Sequence, residues 1–278
     1  MTNQNNFVFR EHGPIEIFGY HPDDIRVASQ REGRKCPFTN VRCIKQLYRT
    51  DKPPSGCCSV SHNGENIIIC PKRFSADNNK IIYDIAKLLL KTKNNTLISE
   101  VGLPEGFGRV DWVAMSQENF GSIEYIPIET HANQTTSTGG LTDAIGEHEA
   151  TGLLSATRYK YGLNTYHQIK TFFTQCLQKS QLFEKWNRNF VWILDDSVFR
   201  NWIKRFSLKL DPLDLNNKIF FFSYVLEFNK ALNKYDLVQK SVASSNRMAL
   251  LDAYNRGGDD LPNEKEFIQS IISKMNGK

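Results

Sequence analysis

Carboxylates are concentrated in one part of this chain. Glu100, Asp111 and Glu129 fall in residues 94–157, a stretch with nine acidic residues and a single basic one, Arg109. The flanks are basic, with 15 Lys and Arg against 9 Asp and Glu in residues 1–93, and 14 against 7 in residues 158–240. Carboxylate oxygens hold hard divalent cations such as Mg2+, and Lys and Arg hold phosphates. That division of charge suits a metal-dependent enzyme acting on a polyanion.

Thiols form a second constellation. Cys36, Cys43, Cys57, Cys58 and Cys70 lie within 35 residues, while Cys176 stands alone downstream. The sequence around them is rich in turn formers, Pro53, Pro54 and Gly56 before the third position and Pro71 after Cys70. Clustered cysteines in a reducing compartment favour metal over disulfides. Four thiolates from two turns and a strand end would close a tetrahedral site for zinc or iron. Spacing does not choose between Cys57 and Cys58 as third ligand. Cys176 falls within an amphipathic helical pattern and reads as a buried structural thiol.

These groups need a scaffold. Apolar residues at helical spacing predict helices over 80–91 and 164–186, with further helices at 197–206, 246–254 and 264–275. Strands are expected over 108–115, 123–131, 191–196 and 219–228. The stretch 134–151, rich in Thr, Ser and Gly, reads as a long polar loop and a candidate DNA contact. Trp186, Trp192 and Trp202 are expected in the core. The alternation predicts an α/β fold with a mixed sheet flanked by helices, residues 80–278, after an N-terminal four-cysteine metal-binding module, residues 1–79.

On a strand, side chains alternate between faces. Tyr125, Glu129 and His131 therefore project one way, and Ile126 and Ile128 the other. A neighbouring strand would bring Asp111 beside Glu129, giving two oxygen donors for Mg2+ on rigid elements. Such a cation activates water and steadies the leaving oxygen in phosphodiester hydrolysis. Other chemistries are excluded. His148 in Gly146-Glu-His-Glu149 has no second histidine four residues on, and no Gly-x-Ser-x-Gly elbow occurs. The net charge of +5 is compatible with nucleic acid. The longest apolar run, 219–226, has strand length, and the first residues lack the pattern of a secretory signal, so the expectation is a cytoplasmic chain without membrane contact.

In these motifs the sequence resembles the NotI-type restriction endonucleases. The resemblance is carried by Glu16-Ile-Phe-Gly-Tyr20, Cys36-Pro-Phe38, Gly56-Cys-Cys58-Ser-Val60, Ile69-Cys70-Pro-Lys-Arg-Phe74, Glu100-Val-Gly102, Gly108-Arg-Val-Asp111 and Ile128-Glu129-Thr-His131. It spans residues 14–200 in the expected order. It implies a PD-(D/E)XK nuclease fold, with Glu100, Asp111 and Glu129 as Mg2+ ligands. It also implies Cys36, Cys43, Cys58 and Cys70 as ligands of an iron or zinc site, leaving Cys57 as the extra thiol. The implied activity is that of a type II enzyme: site-specific hydrolysis of double-stranded DNA to 5′-phosphate ends by a homodimer. A cognate DNA methyltransferase would act on the same site.

One position departs from the pattern. Many such nucleases have a lysine two residues after the second acid, and the NotI type a glutamine; here His131 stands there. No lysine lies between Lys93 and Lys160, so these strands offer no substitute. A neutral imidazole could orient or deprotonate a water but brings no fixed charge. This departure sustains an alternative, a non-catalytic DNA-binding protein stapled by zinc or iron around a degenerate nuclease core. Arg42, Lys45, Arg49, Lys72 and Arg73, near the cysteines, are candidate DNA contacts.

Overall fold

The computed structural model describes residues 10–47, 53–92, 94–116, 123–256 and 264–276. In chain order the first elements are β1 (His12–Ile17), α1 (Arg26–Gly33), β2 (Cys57–His62), β3 (Glu65–Ile68), α2 (Ala76–Leu90), β4 (Asn95–Gly102), β5 (Arg109–Ser116) and β6 (Tyr125–His131). There follow β7 (Thr135–Thr136), α3 (Gly139–Thr151), β8 (Gly162–Leu163), α4 (Thr165–Lys185), β9 (Phe190–Asp195) and α5 (Asp196–Phe206). The last are β10 (Ile219–Asn229), β11 (Lys234–Ser245), α6 (Arg247–Arg256) and α7 (Glu264–Asn276).

The central sheet has the order β11-β10-β9-β6-β5-β4. β9 runs parallel to both β6 and β10, and the remaining pairs are antiparallel. Its middle strands are covered on both faces, so they read as continuous apolar runs rather than alternating ones. Ile126, Ile128, Val191, Ile193, Phe220 and Phe222 pack on one side with Ile82, Ile85 and Leu89 of α2. Trp192, Leu194, Ile219 and Phe221 pack on the other with Phe172 and Phe173 of α4, Trp202 of α5 and Leu250 of α6. Each of these buried side chains contributes about 1.5–3 kcal/mol of transfer free energy.

A smaller sheet, β1-β2-β3, stands beside it. On β3 the successive residues Ile67 and Ile68 divide between two cores, as period-2 geometry requires, and on β1 the register shifts around Glu16 turn Ile15 and Ile17 to opposite sides. Ile15 and Ile68 join the α2 side of the central sheet, while Ile17, Val60 and Ile67 enclose a third core with Cys36, Cys43 and Cys57. Leu141, Ile145 and Tyr161 complete that third core from the middle of the chain.

Two expectations are revised, and the start of α2 agrees with the sequence. Residues 139–151 form the helix α3 rather than a loop. Its Leu141, Ala144, Ile145 and His148 are buried at helical spacing, and this packing outweighs the low propensity of Gly and Thr. Trp192 and Trp202 are core residues, but Trp186 ends α4 half-exposed, edge-on to Phe183. In α2, residues 77–79 have positive φ, so the regular right-handed turn begins at Lys80, where the apolar pattern starts.

Candidate active site

Three adjacent strands align the acidic residues. Ser99 pairs with Trp112 and Val101 with Val110, which brackets Glu100 and Asp111 as opposite positions on β4 and β5. Trp112 pairs with Ile128, which sets Asp111 across from Glu129 on β6. The carboxylates thus form one row across β4, β5 and β6. Glu100 has φ +55°, a left-handed conformation that costs a non-glycine residue roughly 1 kcal/mol or more. Backbone strain of this kind tends to mark functional positions.

Each carboxylate has a distinct setting. Asp111 Oδ2 accepts from the Thr130 backbone N–H at 2.8 Å and from the Thr130 hydroxyl at 2.6 Å. These bonds pin Asp111 to the strand that carries Glu129. Glu100 is exposed and accepts from Lys72 Nζ at 3.1 Å. Glu129 is buried. Burial and the facing Asp111 carboxylate push its pKa up to about 7, against the pull of a nearby ammonium.

That ammonium belongs to Lys179 of α4. Its Nζ donates to Glu129 Oε1 and, at 2.6 Å, to the Arg109 carbonyl. The lysine missing from the strands is therefore supplied by a helix. The sequence carries a signal for it. Phe172, Cys176, Lys179 and Phe183 recur at helical spacing on the buried face of α4, where an unpaired lysine would be costly. A lysine on an apolar stripe implies a carboxylate partner in the fold.

His131 lies on the same face of β6 but turns to the aromatic core. Its ring is 5.5 Å from that of Phe172 and 6.3 Å from that of Trp192. Burial lowers its pKa to about 4, against hydrogen bonding to Gln168, so it is neutral at physiological pH. Its Nε2 is buried without a hydrogen-bond partner.

The cysteines are free and buried. Cys36 and Cys43 close a tight loop, where the Cys43 N–H bonds the Arg34 carbonyl at 2.8 Å and Lys35 bridges Arg42. Cys58 on β2 accepts at its carbonyl from the Cys70 N–H at 3.1 Å. Burial raises the thiol pKa of Cys43, Cys58 and Cys70, and that of Cys57 to about 12. Neighbouring cysteines add to each rise.

Among the described residues, no group of three or more His, Cys, Asp or Glu side chains forms a ready metal cage. The donors fit in kind: hard oxygens in the carboxylate row suit Mg2+, and soft sulfurs in the N-terminal core suit iron or zinc. Of the basic residues near the cysteines, Lys45 donates to the Ile69 carbonyl. Arg73 is buried against Glu16 at 3.0 Å and the Tyr235 carbonyl at 2.6 Å. That burial removes Arg73 from the candidate DNA contacts. Lys72 faces Glu100, and Arg49 lies outside the described residues.

Three adjacent strands thus present a row of carboxylates beside a buried lysine. The sequence profile described as Restriction endonuclease NotI matches residues 22–237, most of the chain. The chain belongs to the NotI restriction endonuclease family. Restriction endonucleases of this family are site-specific deoxyribonucleases acting on double-stranded DNA. The matched span runs from before the cysteines through β10 and so includes the whole carboxylate row and Lys179. No curated protein matches the chain. Among the described residues, no helix is long and apolar enough to cross a membrane.

Proposed function

We propose that this NotI-family chain is a type II restriction endonuclease of PD-(D/E)XK fold that hydrolyses both strands of a specific duplex site with Mg2+. The single observation that carries this reading is the Glu100–Asp111–Glu129 row closed by Lys179. Asp111, Glu129 and Glu100 would hold Mg2+, which when bound polarises the scissile phosphate and lowers the pKa of water. The rest is the work of the chain. Thr130 fixes the Asp111 carboxylate, and Lys179 holds Glu129 while placing a positive charge beside the attacked phosphate. His131, neutral, packs on Phe172 and Trp192 and supports the strand that carries Glu129. The ammonium of Lys179 answers the objection raised by His131, so a degenerate, non-catalytic core is the less favoured reading.

The remaining features follow the same reading. Cys36, Cys43, Cys58 and Cys70 hold a structural iron or zinc in an N-terminal module, residues 1–79, attached to a nuclease domain, residues 80–278. A homodimer presents two active sites to a two-fold symmetric DNA sequence, leaving 5′-phosphate ends. The partner methyltransferase protects that sequence and need not touch this chain. Such an enzyme works in the cytoplasm, where its DNA substrate is.

The test is a digest of fully sequenced, unmethylated phage DNA with and without Mg2+, by the purified chain and by Glu129→Ala. Discrete fragments that require both Mg2+ and Glu129 support the proposal, and their ends give the site. Intact DNA under all conditions, with salt-sensitive binding retained, would leave a binding protein instead.

A further inference from the structure

We propose that the C-terminal helix α7 is a self-association surface, pairing antiparallel with α7 of a second copy of this chain across a two-fold axis. Every described side chain of α7 is exposed. Yet it carries Phe267, Ile268, Ile271, Ile272 and Met275, with Phe267 66 % and Met275 70 % exposed. At 100° per residue these five fall within roughly 140° of arc. Ile268, Ile271 and Met275 follow one another at intervals of three and four, the spacing of a helix–helix seam, with Phe267 and Ile272 on its flanks. Scattered apolar residues on a surface are ordinary, but a continuous stripe marks an interaction site.

The occupant is argued from charge. The first turn of α7 is net acidic, with Glu264 and Glu266 flanking Lys265, and its last turn carries Lys274. Glu264 lies on the apolar arc itself, one turn before Ile268. A parallel pair sets Glu264 against Glu264. An antiparallel pair sets it beside the partner's Lys274 and opposes the two helix dipoles. Because a two-fold contact is self-complementary, a helix acidic at one end and basic at the other suits an antiparallel copy of itself. α7 lies beyond residues 22–237, the span that matches the family profile.

The helix is only about 20 Å long. Its stripe supplies less than the ~800 Å² per partner of a standard interface, so the free dimer should dissociate on dilution. This inference deepens the homodimer reading and rests on it for the number of copies.

The experiment is sedimentation velocity of the full chain without DNA over a wide concentration range, with circular dichroism on each variant. The expected result is a monomer–dimer equilibrium in the wild type. Ile268→Glu/Ile271→Glu should weaken association by roughly a hundredfold or more while retaining the melting curve. Glu264→Lys should weaken it less, and Glu264→Lys/Lys274→Glu should restore it. An Ile268→Glu/Ile271→Glu variant that stays as dimeric as the wild type overturns this surface and leaves the homodimer standing. A wild type monomeric at every concentration overturns this surface, as does a monomer whose α7 amides are protected from exchange by its own chain. A dimer that then forms only on a duplex carrying the cleavage site leaves the homodimer reading standing, and a monomer on that duplex ends it. None of these outcomes bears on the nuclease reading, which the digest decides.

Discussion

Lys179 donates to the Glu129 carboxylate from a helix 50 residues further along the chain. Its ammonium also holds the Arg109 carbonyl, at the start of the strand that carries Asp111. One side chain thereby ties together the two strands whose acids face each other. Removing its charge both strips the site of a cation and leaves Glu129 buried without its partner. Lys179→Met is therefore expected to lower single-turnover cleavage by about 100-fold or more. Lys179→Arg should recover part of the loss, and DNA affinity in gel shifts should change little. Full cleavage by Lys179→Met would remove the lysine from the chemistry.

His131 makes a weaker claim. With a pKa near 4 it carries no charge at the pH of cleavage. We expect His131→Ala to slow cleavage less than Lys179→Met, by about tenfold, through lost packing on Phe172 and Trp192 beneath the strand that carries Glu129. The slope of rate against pH between pH 6 and 8 should be unchanged in that variant. An altered slope in stopped-flow profiles would show that the imidazole titrates during turnover.

The thiols yield a metal-content prediction. In the proposed four-cysteine site, Cys58→Ala should abolish iron or zinc binding, because Cys58 faces Cys70 beyond the β2–β3 edge. Cys57→Ala should keep it. Elemental analysis decides between the two, and visible absorbance separates iron from zinc. Equal loss in both variants would make Cys57 a ligand after all.

Gly56 sits directly before these cysteines with φ +67°, and a Cβ there would meet the Phe18 ring at 2.4 Å. Both the conformation and the contact exclude a side chain. Gly56→Ala is expected to cost ~1–3 kcal/mol in denaturant unfolding and to lower metal retention along with Cys58→Ala. An unchanged midpoint would mean that Phe18 yields without cost.

Asp195 predicts a pH dependence of stability. It is wholly buried, and desolvation raises its pKa to about 6 despite bonds from Ser197 and from the Ile68 N–H at 2.9 Å. The folded chain therefore binds this proton more tightly than the unfolded one. The resulting stability is fully present below pH ~3.8 and is lost as pH rises through about 6. Asp195→Asn removes that slope and sets an amide group against the Ile68 N–H. The stability deficit of the variant should be larger at pH 4 than at pH 7, by roughly 2 kcal/mol. A constant deficit in urea titrations across that range would contradict the assignment.

Much of the frame could be read along the chain. Alternation at Ile126, Ile128 and Glu129 fixed the faces of β6, and the spacing of Ile169, Phe172, Phe173 and Cys176 fixed the inner face of α4. Such patterns are local, repeating every two or 3.6 residues, and a single segment contains them whole. The carboxylates and their order were likewise legible, because residue type and strand position are properties of the segment. Tertiary structure decided what met them. Lys179 reaches Glu129 only because α4 lies under β6, and His131 is drawn into the core only because Trp192 and Phe172 close over it. Residues 139–151 become α3 because Leu141 and Ile145 are needed to bury the cysteine core. Contacts between distant segments repay the entropy of bringing those segments together, and no local pattern records which pair will do so.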